Sequence, residues 1–203
     1  MDYYYENQKT EKIEELSKTK KSVKEIFEWF DAIVFSIIAI ILLFTFVFRV
    51  VGIVGESMES TLHEGDRVVI SNFLYTPKRG DVVVISRNYL NDENDTNEND
   101  SPIIKRVIAT EGQTLTIDPE NKTVSVDGEV IKEPYINGQI TNWTEGENVA
   151  KTIEIEEGHV FVMGDNRGNS LDSRDSSLGQ VDCKYILGKA LIRIYPLNNF
   201  GGF

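Results

Sequence analysis

Residues 32–48, AIVFSIIAIILLFTFVF, carry no charge, and their only hydroxyls are Ser36 and Thr45. No other stretch of the 203 residues limits the possible folds as strongly. As a helix it would be about 26 Å long at ~1.5 Å per residue. Trp29, Phe30, Val50 and Val51 extend it towards the roughly 30 Å of a bilayer core. The core helix of a soluble domain keeps a polar stripe, and this run has none. A cleaved signal peptide would have a shorter apolar region, roughly 7–15 residues, followed by small residues of the A-x-A type. RVVGIVGES follows instead. The run predicts an uncleaved transmembrane anchor over residues 29–51, preceded by a cytoplasmic tail, 1–28, with helical character through KIEELSKTKKSVKEIFEWF.

Orientation is read from Lys and Arg near the ends of a span. Lys18, Lys20, Lys21 and Lys24 precede the run, interspersed with Glu14, Glu15, Glu25 and Glu28. Beyond it only Arg49 is close, and the next basic residue is Arg67. This bias predicts a single pass with the tail in the cytoplasm and the remainder outside. Trp29 sits where an interfacial aromatic would.

The formal net charge of −12 is unfavourable for a nucleic-acid partner, which requires a basic patch. Cys183 is the only cysteine, so the chain has no intrachain disulfide. His63 and His159 are far apart in sequence, and no His/Cys cluster suggests a metal. Neither a cofactor nor a metal is expected.

Beyond the anchor the pattern changes to short β-like runs broken by turns. Strands are predicted at 67–70, 82–87, 103–110, 114–118, 123–126, 152–155, 159–163 and 188–194. Glu64-Gly65-Asp66, Asp127-Gly128 and Glu157-Gly158 are among the turns between them. The expected class is mainly β, an antiparallel-sheet or β-barrel-like extracytoplasmic domain behind a single N-terminal transmembrane helix. Its main body is expected from 52–112 and 158–203, with 113–157 as a smaller inserted β subdomain. Residues 88–101, NYLNDENDTNENDS, are acidic and poor in apolar side chains, and read as an exposed loop. The Gly and terminal Glu of an EF-hand loop are missing there, which disfavours a calcium site.

Three segments carry candidate chemistry. The first, 51–70, holds Ser57 in GESM just past the anchor. Even a fully extended chain places Ser57 within roughly 26 Å of Arg49 at about 3.3 Å per residue, close to the membrane surface. The second, SPIIKRVIATEG, sets Lys105 and Arg106 inside an apolar run. In a strand Ile103, Lys105 and Val107 share one face, and Ile104, Arg106 and Ile108 the other. One cation therefore points among apolar neighbours, unless the strand is a solvated edge from which the lysine snorkels. The third, 158–181, runs an apolar strand into a dense polar loop with Asp165, Asn166, Arg167, Ser170, Asp172, Ser173 and Arg174. That mixture predicts a loop folded on internal ion pairs.

Together the three segments resemble the boxes of bacterial type I signal peptidases, the leader peptidases, of Gram-positive type. S-M-x-x-T-L matches at Ser57, Met58, Thr61 and Leu62, and K-R-V-I at Lys105 to Ile108. G-D-N-R-x-x-S-x-D-S-R matches from Gly164 to Arg174. The boxes keep the family's order behind an N-terminal anchor, and the likeness spans roughly 29–195. The lysine separates this branch from the related eukaryotic and endospore-type branch, which has histidine there. The chain departs from the pattern at Ser60, where the family usually has proline. At Gly55 some members carry a serine that donates to the oxyanion, while many Gram-positive-type members have glycine.

The resemblance implies a membrane-bound serine endopeptidase that cuts signal peptides from exported preproteins after small residues, with Ser57 as nucleophile and Lys105 as general base. It also implies that Ser170 holds the lysine amine, that Asp165 pairs with Arg106, and that Asp172 pairs with Arg174. Ile53, Val54, Met58, Leu62 and Ile104 are candidate walls of the substrate groove. The partners implied are signal peptides and the lipid bilayer. The base must be neutral to act. An ordinary lysine, with pKa near ~10.4, is neutral in only about one molecule in a thousand at pH 7.5. Burial can lower that pKa by up to roughly 3–5 units. No carboxylate is expected beside the amine, and Arg106 is expected to supply a like charge. Two other readings share part of the pattern. A self-cleaving, phage-repressor-like Ser/Lys peptidase lacks the anchor and the GDNR loop. A tethered β-domain that binds a surface partner would make Ser57 and Lys105 structural.

Overall fold

The computed structural model describes residues 2–86, 102–136 and 149–203, with side chains from residue 24 onward. The acidic loop 88–101 and the end of the strand predicted at 82–87 lie outside the described residues. The chain divides into two compact units, Met1–Phe46 and Val47–Phe203.

The first unit is one helix, α1 (Asp2–Phe46). Its Lys24–Phe46 portion is long and apolar enough to cross a membrane, with a mean hydropathy of 2.4. Ile33, Phe35, Ile37, Ile40, Phe44 and Phe46 are all exposed. Apolar side chains gain stability only when removed from water, so this surface calls for an apolar surround. The two hydroxyls of the span turn inward to the backbone. Ser36 Oγ donates to Ala32 O and Thr45 Oγ1 to Ile41 O, each at 2.7 Å.

The anchor was expected to run to residue 51, but the helix ends at Phe46. Phe48–Gly52 is strand β1, paired along its length with β2 (Arg67–Ser71). Val50 and Val51 are β-branched, and β2 offers them a hydrogen-bonded edge. Hydropathy alone cannot register that competition.

The second unit is mainly β, antiparallel throughout, with a curled half-barrel. After β1 and β2 come β3 (Val82–Ile85), β4 (Ile103–Thr110), β5 (Thr114–Asp118), β6 (Thr123–Val126), β7 (Glu129–Val130) and β8 (Lys151–Glu154). β9 (His159–Met163), β10 (Val181–Asp182) and β11 (Ile186–Tyr195) complete the series. The larger sheet has the order β1-β2-β11-β3-β4-β9-β10, and the smaller β7-β6-β5-β8. Sequence reading found eight of these strands within a few residues at their ends. It missed β1, β7 and β10, the last two being two-residue pairings too short to carry an alternation. The Asp127-Gly128 turn between β6 and β7 has φ of +54° and +82°, the left-handed pair that a tight hairpin needs.

β4 is an interior strand between β3 and β9, so Lys105 does not snorkel from an edge. It lies opposite Val83, and Arg106 opposite Val82, so the two cations leave opposite faces. Val82, Val84 and Ile104 pack with Ile53, Met58 and Leu62 in one apolar cluster. Val83, Ile85 and Val107 belong to another. Both faces of β4 are therefore dry where the cations emerge.

Candidate active site

Ser57 is held by a tight turn that follows β1. Thr61 N and Leu62 N both donate to Met58 O, at 3.0 and 2.9 Å. Met58 and Leu62 are fully buried and root this turn in the apolar cluster. Ser57 itself remains half-buried. Gly55 has φ +83°, a conformation that a side chain would resist.

Lys105 is 4 % exposed, and its Nζ donates to Ser57 Oγ at 2.7 Å. Burial lowers its pKa to about 8, because a dry environment disfavours the charged ammonium. Asp172 works against this, Arg174 assists it, and Asp165 opposes it weakly. Among the described residues no carboxylate forms an ion pair with the amine; Asp172 and Asp165 favour its proton from further away, and burial outweighs them. One expectation is corrected here. The like charge that helps comes from Arg174 rather than Arg106, whose own charge is matched by Asp165.

That match is close. Arg106 Nε donates to Asp165 Oδ1 at 2.8 Å, and Nη2 to Oδ2 at 2.7 Å, with both side chains buried. Thr61 Oγ1 donates to Asp165 Oδ2 at 2.5 Å, so the turn after Ser57 is tied to the same carboxylate. Arg106 Nη1 reaches Gly80 O at 2.8 Å.

The loop after β9 folds around a second ion pair. Asp172 accepts from Arg174 Nε and Nη2, each at 2.8 Å, and from Gly164 N at 2.9 Å. Arg174 Nη2 also reaches Arg167 O, and Arg167 Nε reaches Gly164 O, closing the loop on itself. Asn166 N donates to Ser57 O at 3.0 Å, so the loop grips the serine's backbone.

Other sequence expectations meet the structure differently. Ser170 was expected to hold the lysine amine. Its Oγ is buried close to Ser57 O and Gly164 and has no hydrogen-bond partner among the described residues. Among the five candidate groove walls, Ile53, Met58, Leu62 and Ile104 are buried core, and only Val54, 68 % exposed, offers substantial surface. No cluster of metal-ligating side chains occurs among the described residues.

Sequence reading missed two members of this network. Glu133 forms a buried ion pair with Arg167, and the Tyr135 ring lies 4.0 Å from the Arg106 guanidinium carbon. One signal was available for Glu133. With Asp165 assigned to Arg106 and Asp172 to Arg174, a buried Arg167 would require an acid from outside the motif. Nothing local marked Tyr135.

A family model described as signal peptidase, peptidase S26, matches residues 26–195. A signal peptidase I of Bacillus licheniformis is 32 % identical over 167 residues, covering 77 % of this chain and 82 % of the relative. Signal peptidase I T of Bacillus subtilis (strain 168) is 31 % identical over 169 residues, covering 77 % and 79 %. A crystal structure of a signal peptidase I from Enterococcus faecalis matches with a TM-score of 0.42 and 25 % identity, covering 57 % of this chain and 97 % of that one.

Proposed function

The chain belongs to the signal peptidase family, peptidase S26, and is a signal-peptide-cleaving peptidase; from that premise we propose that Ser57 is its nucleophile and Lys105 its general base. The observation that carries this assignment is the 2.7 Å contact between Lys105 Nζ and Ser57 Oγ inside a buried setting. With a pKa of about 8, about one lysine in four is neutral at pH 7.5. That is about two hundred times the neutral fraction of an ordinary lysine.

Ser57 Oγ attacks the scissile carbonyl carbon as its proton passes to Lys105 Nζ. The tetrahedral intermediate collapses, the C–N bond breaks, and Lys105 returns the proton to the departing amine. Water then attacks the ester, with Lys105 taking its proton and Ser57 recovering one as the acid leaves. The Ser57 backbone N–H is the candidate oxyanion donor, in a backbone held by Asn166 N at Ser57 O. Asp165 with Arg106, and Asp172 with Arg174, keep the two loops in register around the pair. Substrate is an extended signal peptide ending in small residues of A-x-A type, bound along the segments before Ser57 and before Lys105.

The bilayer supplies the setting. The exposed apolar length of Lys24–Phe46 supports a membrane anchor, and the lysines before it support a cytoplasmic tail with the β unit outside. The deciding experiment is cleavage of a preprotein with an A-x-A site by detergent-solubilised protein. Wild type cleaves it, whereas Ser57→Ala and Lys105→Met do not. Cleavage by either variant removes that residue from its role.

A further inference from the structure

Residues 133–135, Glu-Pro-Tyr, follow β7 of the smaller sheet and touch the site at three points. The Glu133 carboxylate closes on Arg167, with Arg167 Nη1 at 3.2 Å from Oε2 and Nη2 on Oε1. Tyr135 stacks on Arg106 and donates from its hydroxyl to Glu133 Oε1 at 3.0 Å. Ser60 Oγ donates to Tyr135 O at 2.5 Å. These contacts bind three separate parts of the site: the turn carrying Ser57, the strand carrying Lys105 and the loop after β9.

Each contact leads by a short path to the reacting pair. Arg167 holds Gly164 O, and the same loop gives Asn166 N to Ser57 O. Arg106 is the chain neighbour of Lys105 and holds Asp165, which also receives Thr61 from the serine turn. The ring over Arg106 covers a guanidinium on the face of β4 opposite Lys105, so its effect on the amine runs through Asp165 and the loop after β9. Cation–π contacts of this kind are worth most when desolvated.

We propose that Glu133 and Tyr135 form a positioning clamp that holds Arg106 and the 164–167 loop in place and keeps water away from the Lys105 amine. The inference rests on the assignment of Ser57 and Lys105 above. Neither clamp residue meets the scissile bond. They act through the two arginines, and so on how dry the base remains.

The charged groups that act on the Lys105 amine are Asp172, Arg174 and Asp165, all from the loop after β9. Arg106, at the adjacent position of β4, leaves the opposite face and is matched by Asp165, so these three groups and burial set the amine's proton affinity. Loosening the clamp wets the amine and weakens the largest of these effects, so the base loses its proton only at higher pH. The test compares pH profiles of kcat/KM for the detergent-solubilised full chain on one A-x-A preprotein. In Tyr135→Leu and in Glu133→Gln the acid limb moves up by about one pH unit. Activity at pH 7 falls about tenfold and recovers above pH 9. Tyr135→Phe, which keeps the ring over the guanidinium, restores the wild-type limb. A purely structural role would lower the melting temperature and leave the limb in place, and that result overturns the clamp. If Tyr135→Leu fails to fold, the nearly isosteric Glu133→Gln decides the matter. Cleavage by Ser57→Ala refutes the underlying assignment. An inactive Ser57→Ala with an unmoved limb in the clamp variants refutes the clamp alone.

Discussion

Gly164 lies against the carbonyl oxygen of Ser57 so closely that a Cβ at this position would overlap it. The same Cβ would overlap Ser170 Oγ and lie 2.6 Å from Ser170 Cβ. The loop after β9 thus approaches the backbone of Ser57, the proposed nucleophile, at a point where only glycine fits. The first loop residue also donates its N–H to Asp172. Gly164→Ala must push the loop away from Ser57 or displace Ser57 itself. The expected outcome is a loss of kcat of about 100-fold, the scale of a 1 Å misplacement. Steady-state kinetics beside a circular-dichroism melt would separate this from unfolding. Wild-type turnover would show that the loop and serine need not be in register.

The rate should depend on pH through the base. Lys105 is active when neutral and has a pKa of about 8, so kcat/KM should rise with pH and level off above that value. A profile from pH 6 to 9.5 checks this. A limb near pH 10 would mean that burial does not lower the lysine.

Stability should show the same residue with a definite sign. A lysine whose folded pKa lies below its unfolded value destabilises the fold where both states are protonated. Below pH 8 the full effect is present, roughly 3 kcal/mol for a fall from 10.5 to about 8. It disappears as pH rises from 8 through 10.5, where the unfolded chain still binds the proton and the folded chain has lost it. Lys105→Met should therefore melt at the same temperature as wild type or higher at pH 7, and its advantage should shrink across that window. A clearly lower melting temperature at pH 7 would make the lysine a structural residue.

Arg106 and Asp165 form a buried pair, so removing one partner leaves an unmatched charge. Asp165→Ala should destabilise by about 3–5 kcal/mol. The double variant Asp165→Ala with Arg106→Met should recover much of that loss, because no orphan charge remains. Chemical denaturation of both variants measures it; additive losses would show that the pair is not coupled.

Ser60 adopts φ +84°, a value closed to proline, whose ring holds φ near −65°. The residue that relatives usually carry there should thus be harmful in this chain, where the hydroxyl instead fastens the turn to Tyr135 O. Ser60→Pro should lower both the melting temperature and kcat. Ser60→Gly, which accepts the conformation, should mainly lose the clasp. Thermal melts and kinetics of both check this; a stable, active Ser60→Pro would mean that the turn has another conformation.

Much of the fold is legible because its causes are local. The 32–48 run marks a helix long and apolar enough to cross a membrane by composition alone. Alternation in residues such as 114–118 and 123–126 marks strands whose ends are set by nearby turns. The boundary at Phe46 was not legible, because β2, distant in sequence, competes with the helix for Phe48–Gly52. The substrate walls were not legible for a related reason, since apolar character at Met58 and Leu62 cannot say whether a residue lines a groove or lies beneath it.

By itself the sequence determined the long apolar N-terminal helix, the β class and the residues proposed for the chemistry, Ser57 and Lys105 among them. Tertiary structure alone decided that Lys105 leaves an interior strand into a dry space beside Ser57, that Arg174 rather than Arg106 acts on its proton, and that Glu133 and Tyr135 belong to the site. The physical reason is that burial and charge are summed over everything nearby in space. These neighbours arrive from segments that no spacing along the chain connects.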